Sequence, residues 1–235
     1  MSLNISKIKN NLSVIILCGG EGQRLRPLTK KIPKPLIKIK NKAIIEYIIN
    51  HFHRHKINNI IIATGYKDKL IKKFIKKKYK SKKIQVINTG LKTGILGRIK
   101  KIEKYSKQNI ILCYGDTLLD INVNKLITFY LKNQTKFLIS SYELQSSFGI
   151  LNINEKNFVT NFREKPRLGV WFNVGYFLFS KNYFKVIKKF EKFENFLFYL
   201  VKKKLLKAFK HIGKHITVNT VYELEEAKTQ IKKFI

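Results

Sequence analysis

Leu17-Cys18-Gly19-Gly20-Glu21-Gly22-Gln23-Arg24-Leu25-Arg26-Pro27-Leu28-Thr29-Lys30-Lys31-Ile32-Pro33-Lys34-Pro35 is where an apolar run gives way to a glycine loop. The run before it, Ser13-Val14-Ile15-Ile16, is uncharged and rich in β-branched residues, the pattern of a strand buried on both faces. It ends in Gly19, Gly20 and Gly22. Without side chains, the backbone N–H groups there form a concave row of donors suited to a phosphate. Arg24, Arg26, Lys30, Lys31 and Lys34 then ring the loop with positive charge. Pro33 and Pro35 bracket Lys34, so that segment is expected to be stiff and extended rather than helical. Two familiar phosphate loops do not fit. The stretch holds no Gly-x-x-x-x-Gly-Lys followed by Ser or Thr, and the third glycine of a dinucleotide fingerprint would fall on Leu25.

Outward from the loop, the pattern alternates. Helical spacing covers 42–56, 67–79 and 94–105, and continuous apolar runs cover 59–64, 84–87 and 109–114. Apolar strands separated by helices argue for a parallel sheet covered on both faces. The rest is richer in strands, at 135–144, 148–153, 157–163 and 171–180. Helices are expected near 181–190 and 195–204, short strands near 206–218, and a last helix over 221–234. One α/β domain, 1–235, suits the length: about 12–120 would hold a nucleotide and about 121–235 a second substrate. A second chemical feature closes the 109–114 strand, Tyr114-Gly115-Asp116. By itself a Gly-Asp after a strand is a turn; beside a phosphate loop it aims a carboxylate at the position of a Mg²⁺ ion.

Charge needs its own reading. The chain has 49 basic and 14 acidic residues, a formal net charge of +35. A basic surface attracts nucleic acid. The lysines, however, are scattered over nearly every helix, in a chain also rich in Ile, Asn, Phe and Tyr, and no nucleic-acid module is legible. We read the charge as composition, with no specific nucleic-acid partner. No apolar run is long enough for a membrane span, the first ten residues lack a signal-peptide core, and Cys18 and Cys113 show no metal or redox spacing. A cytoplasmic protein with free thiols is expected. The five histidines form no metal set, and His51 and His55 are expected at the surface.

The loop resembles the opening of the sugar-1-phosphate nucleotidyltransferases: a strand, Gly-Gly-x-Gly-x-Arg-Leu-x-Pro-x-Thr, then Pro-Lys-Pro. Every position is filled here, with Cys18 standing where the family usually has a residue such as Ala. The resemblance extends from about residue 12 to 230. It implies a Rossmann-like three-layer α/β/α nucleotidyltransferase fold, GT-A-like, with a mostly parallel central sheet and a β-rich elaboration. It implies a reaction in which a nucleoside triphosphate and a sugar 1-phosphate give a nucleoside-diphosphate sugar and pyrophosphate, with Mg²⁺ as cofactor. Leu17, Gly19, Gly20 and Gly22 would cradle the nucleotide. Arg24 would neutralise the leaving pyrophosphate, Lys34 would reach the α-phosphate, and Asp116 would hold the metal.

Other matches refine this. Thr89-Gly90, Thr93 and Gly97-Arg98 are similar to the Thr-Gly…Thr…Gly-Gly-Arg run of glucose-1-phosphate cytidylyltransferases, with Leu96 at the place of the first glycine. That implies CTP, with Thr93 and Arg98 near the nucleotide; GTP- or dTTP-using enzymes, or a non-catalytic nucleotide-binding relative, are the alternatives. Phe148-Gly149 matches the same group. Phe162-Arg163-Glu164-Lys165-Pro166 resembles the family's Phe-x-Glu-Lys-Pro, which implies that Glu164 and Lys165 bind the sugar phosphate. Asn173-Val174-Gly175 matches its Asn-x-Gly, which implies that Asn173 and Gly175 also bind the sugar phosphate, and a glycine inside an aromatic strand implies a close approach to its backbone. Near the end, Asn219 stands where the family carries its second metal-binding Asp. The acceptor and any homo-oligomer are left open by the sequence.

If the charge is compositional, binding to DNA or RNA should be weak and collapse steeply with added salt. Anisotropy titrations at low and physiological salt check this. Sequence-selective binding that survives physiological salt would contradict it.

Overall fold

The computed structural model describes residues 2–80 and 83–233. Its strands are β1 Leu12–Cys18, β2 Lys38–Ile39, β3 Lys42–Ala43, β4 Ile60–Thr64, β5 Ile84–Asn88, β6 Asn109–Tyr114, β7 Thr117–Leu119, β8 Phe137–Gln145, β9 Ile150–Ile153, β10 Val159–Arg163, β11 Arg167–Ser180, β12 Leu206–His211 and β13 His215–Thr217. Its helices are α1 Ser2–Asn10, α2 Leu28–Lys31, α3 Ile44–Arg54, α4 Asp68–Lys78, α5 Ile95–Ile102, α6 Val123–Lys132, α7 Phe184–Ile187, α8 Phe193–Lys202 and α9 Val221–Gln230.

A seven-stranded sheet runs β12-β8-β11-β6-β1-β4-β5. Only β11 is antiparallel to its neighbours; the pairs β1–β4, β1–β6, β4–β5 and β8–β12 are parallel. Strands from both halves of the chain therefore share one sheet. Two apolar cores line its two faces. Val14 and Ile16 of β1 face α3, α4, α6 and α9, whereas Ile15 faces α5, α7 and α8. This is the three-layer α/β/α arrangement that the run of apolar strands predicts.

Local chemistry sets the element ends. Glu46, in the first turn of α3, accepts from the Ala43 N–H at 2.8 Å and pairs with Lys78 at 2.5 Å. Asn122 caps α6 by accepting from Lys125 N–H, and Thr220 caps α9 by accepting from Glu223 N–H. Several expectations are corrected. Residues 34–36 form a single 3₁₀ turn, because Pro33 and Pro35 fix φ values that such a turn accepts. The expected 42–56 helix begins at Ile44 behind a tiny β2–β3 hairpin. The 181–190 helix is a 3₁₀ turn followed by the single turn of α7. The last helix ends at Gln230 and tightens to 3₁₀ over Ile231–Lys233; its expected end at Phe234 lies outside the described residues.

His51 is not at the surface. It is 5% exposed, its Nε2 meets no partner, and burial pushes its pKa down to about 3. Burial likewise pushes His215 down to about 4. An imidazole whose folded pKa lies below the ordinary 6.5 binds fewer protons folded than unfolded between those values. Its contribution is therefore full above about pH 6.5 and is lost as pH falls toward 3–4. At pH 5 the buried His51 alone should cost about 2 kcal/mol, so melting should drop by several degrees from pH 7 to pH 5. A melting temperature that is flat across this range would contradict it.

Candidate functional site

The carboxyl ends of β1 and β6 adjoin in the sheet, and open α/β sheets bind ligands at such ends. Gly115 N–H donates to Leu17 C=O at 3.0 Å, and a Cβ on Gly115 would sit 2.6 Å from Cys18 Sγ. Only glycine lets the chain cross β1 this closely, and the crossing delivers Asp116 beside the loop. Gly22 adopts φ +64°. Its carbonyl accepts from Thr29 Oγ1 at 3.0 Å, which folds the loop back toward Lys34.

Together these elements enclose a cavity of about 390 Å³. Leu17, Gly20, Gly22, Arg24, Lys34, Asp116 and Asn219 all line it, joined by Cys18, Gln23, Pro35 and Gly115. At its centre the Lys34 ammonium donates to Asp116 Oδ2 at 2.5 Å and to Asn219 Oδ1 at 3.0 Å. Arg24 donates to the same Asn219 oxygen at 3.0 Å. The amide orientation is fixed from behind, since Asn219 Nδ2 donates to Thr217 Oγ1. Thr217 escaped the sequence reading, although its place two residues before Asn219 on a strand is the signal for it. The cavity thus holds two cationic side chains, one carboxylate and one oriented amide oxygen.

Other sequence-predicted residues lie elsewhere. Arg98 is 5% exposed and sits beneath the loop. Its Nη1 donates to Thr64 C=O (3.0 Å), Thr89 Oγ1 (2.6 Å) and Gly90 C=O (2.8 Å), and its Nη2 to Gly19 C=O (3.0 Å) and Leu91 C=O (3.1 Å). The expectation that this guanidinium faces a nucleotide is therefore revised: it braces three strand-end loops. Thr93 is likewise engaged, donating to Thr89 C=O at 2.7 Å. Gly19 is not among the residues lining the cavity, and its carbonyl accepts from Arg98. Gly175 has φ +73°, and a Cβ there would strike the Tyr114 ring at 2.2 Å. The close approach expected at this glycine is made by a ring of β6, and Asn173 Oδ1 accepts the Gly175 N–H. Glu164 and Lys165 are about three-fifths exposed, 4.0 Å apart, and do not line the cavity. Asp120, four residues after Asp116, is spent on Lys214 N–H and His211 and does not line the cavity. Burial raises the Cys18 and Cys113 thiols well above their ordinary pKa, which leaves them unreactive.

The oxygens of Asp116 and Asn219 converge on one cation, Lys34, and oxygen-only donors suit a hard ion such as Mg²⁺. Among the described residues no group of three or more His, Cys, Asp or Glu could hold a metal. Phosphate oxygens and water would have to complete any shell here, the usual habit of Mg²⁺ at phosphate sites.

The family model for nucleotidyl transferases matches residues 13–228. The chain belongs to that family. This nucleotidyl transferase is 32% identical over 192 residues to a D-glycero-alpha-D-manno-heptose 1-phosphate guanylyltransferase of Campylobacter jejuni, across 79% of this chain and 85% of the relative. It is 29% identical over 200 residues to a Bacillus subtilis protein named "Probable glucose-1-phosphate cytidylyltransferase", across 76% and 78%. Among solved structures, HddC of Yersinia pseudotuberculosis, complexed with GMP-PN, superposes with a TM-score of 0.72 at 27% identity, over 93% of this chain and 99% of that one. Among the described residues no helix is long and apolar enough to cross a membrane.

A Cβ added to Gly19 would lie 2.0 Å from the Arg98 guanidinium carbon. With five hydrogen bonds to break, that guanidinium yields only by disturbing the loop. Gly19→Ala should remain folded but bind nucleoside triphosphate at least ~10-fold more weakly, about 1.4 kcal/mol, by calorimetric titration. Arg98→Lys should move the same way and lower the melting temperature. Unchanged affinity in both would mean that the loop does not need its brace.

Proposed function

We propose that the chain is a sugar-1-phosphate nucleotidyltransferase. The observation that carries this reading is the convergence of Arg24, Lys34, Asp116 and Asn219 in one cavity at the mouth of the glycine loop. A phosphate oxygen of the sugar 1-phosphate attacks the α-phosphorus of the triphosphate. The bond from the α-phosphorus to the bridging oxygen breaks, and its electron pair leaves on pyrophosphate. No covalent enzyme intermediate is needed, so the protein contributes position and charge. The loop N–H groups hold the triphosphate. Arg24, held by Asn219, meets the charge that grows on the departing pyrophosphate. Lys34, held between Asp116 and Asn219, meets the charge at the α-phosphate. A Mg²⁺ ion, held by Asp116 and Asn219, would neutralise phosphate charge. Glu164, Lys165, Asn173 and Gly175 are the side proposed for the sugar phosphate.

For the base, GTP comes first and CTP second. The argument for cytosine ran through Thr93 and Arg98, and both are engaged with protein oxygens. A guanylyltransferase relative and the GMP-PN complex of HddC favour guanine. A heptose or hexose 1-phosphate is the proposed acceptor.

Pyrophosphate release, read with four nucleoside triphosphates against a panel of sugar 1-phosphates, tests this directly. Activity should appear with GTP or CTP. Asp116→Asn and Arg24→Ala should each lower turnover by two orders of magnitude or more, the ~2.7–4 kcal/mol of one strong electrostatic contact. Asn219→Asp should lower the Mg²⁺ concentration for half-maximal rate; loss of activity would mean the amide is required. Nucleotide binding without turnover, in wild type and Asn219→Asp alike, would replace the enzyme reading with the non-catalytic one.

A further inference from the structure

Lys34 occupies the point on which the cavity's oxygens converge. Its ammonium donates to Asp116 Oδ2 at 2.5 Å and to Asn219 Oδ1 at 3.0 Å. Both acceptors are held from behind. Asp116 Oδ1 accepts from Thr117 Oγ1 at 3.2 Å, and Asn219 Nδ2 donates to Thr217 Oγ1 at 3.0 Å. The oxygens left to face the cavity are therefore the two that Lys34 takes. The Lys34 side chain is only 12% exposed, and its backbone is confined to a 3₁₀ turn with Pro33 and Pro35 on either side. Any exchange of partners at these oxygens has to be made by the lysine stem alone. That stem runs beside the glycine loop: a Cβ on Gly22 would lie 3.2 Å from Lys34 Cβ and 3.5 Å from Lys34 Cδ. An ammonium on a flexible four-carbon stem is a movable point charge, and a phosphate held by the loop offers it charged acceptors on that side.

We propose that Lys34 is a built-in competing cation: it keeps Asp116 and Asn219 closed to a divalent ion until a triphosphate draws its ammonium away. This rests on the reading of those two oxygens as the metal ligands. Charge supports it. The cavity lining sets two cations, Arg24 and Lys34, against one carboxylate, Asp116. A divalent ion arriving alone would add to a positive excess and would have to replace a charge-assisted hydrogen bond. A triphosphate reverses the balance. Its oxygens give Lys34 and Arg24 new partners and leave Asp116 to the metal, and Mg²⁺ is commonly held by one or two carboxylates together with phosphate oxygens.

Asn219 sharpens the competition. Its oxygen is already shared between Lys34 and Arg24, and an amide brings no charge. Ammonium and metal thus compete for a single carboxylate. With the Asp that the family resemblance places at 219, each cation would have a carboxylate of its own. In this chain the nucleotide and the metal load together, and the protein alone holds no divalent ion.

Mn²⁺ takes the same oxygen ligands as Mg²⁺, and its paramagnetic resonance signal reports the ion that stays free. Titrated into the full chain without nucleotide, Mn²⁺ should bind wild type weakly and Lys34→Met at least ~10-fold more tightly. Adding Asp116→Asn to Lys34→Met should remove the gain. Asn219→Asp keeps the lysine and adds a carboxylate; it should gain likewise, and it serves if Lys34→Met fails to fold. In isotope-labelled wild type, the Lys34 ammonium resonance should stay in place with Mg²⁺ alone and shift when GTP or CTP is added with it. Equal Mn²⁺ affinity in wild type and Lys34→Met, a gain that survives Asp116→Asn, no gain in Asn219→Asp, or an ammonium that moves with Mg²⁺ alone would each overturn the proposal. Those results would leave turnover untouched. Absence of pyrophosphate release with every triphosphate would instead end the enzyme reading and leave the Mn²⁺ result standing.

Discussion

A buried guanidinium ties the ends of three strands together. Arg98 reaches from α5 to the carbonyls of Gly19, Thr64, Gly90 and Leu91 and to the hydroxyl of Thr89. Hydrogen bonds to a charged donor are stronger than neutral ones, and burial makes breaking any of them costly. The result is that the glycine loop, the end of β4 and the loop after β5 share one brace. A phosphate loop must present its donors already arranged, since donors that must reorganise contribute little to stabilising a transition state. Here part of that arrangement comes from a side chain that does not line the cavity.

Much of this was legible beforehand. The apolar runs of β1, β4 and β6 announced a sheet covered on both faces, because no other placement hides unbroken Ile and Leu. The opening motif marked the loop, and Gly115-Asp116 marked the carboxylate that the structure sets beside it. Two of the longer elements went unread, α1 and α6. Val123, Leu126 and Ile127 have helical spacing, but Thr128, Phe129 and Tyr130 between α6's ends lower its intrinsic propensity, so tertiary packing decides it. Pro33 and Pro35 were read as forcing an extended chain, yet their φ values suit a 3₁₀ turn equally well.

The misread residues share one cause. Arg98 and His51 are polar groups whose sequence context gives no sign of their depth. A lone Arg in a motif looks like a ligand-binding cation, and a His one turn from another on a helix looks solvated. Only the sheet, by placing α5 under the loop and α3 against Ile121, decides that both are inside. Gly175 illustrates the converse. Its strangeness inside an aromatic strand was visible, but the object it admits, the Tyr114 ring, comes from a strand sixty residues earlier.

That contact has a mechanical consequence. β11 is fourteen residues long. Its first half pairs with β8 alone and frames the β9–β10 hairpin, while its second half is wedged between β8 and β6. The crossover from one regime to the other falls at Gly175, where backbone rests directly on the Tyr114 ring. No side chain lies between them to repack, so any residue larger than glycine at 175 would have to push the Tyr114 ring aside. Two residues beyond Tyr114 stands Asp116, and the smallness of one residue in β11 is thus a condition on the strand that delivers the carboxylate of the cavity.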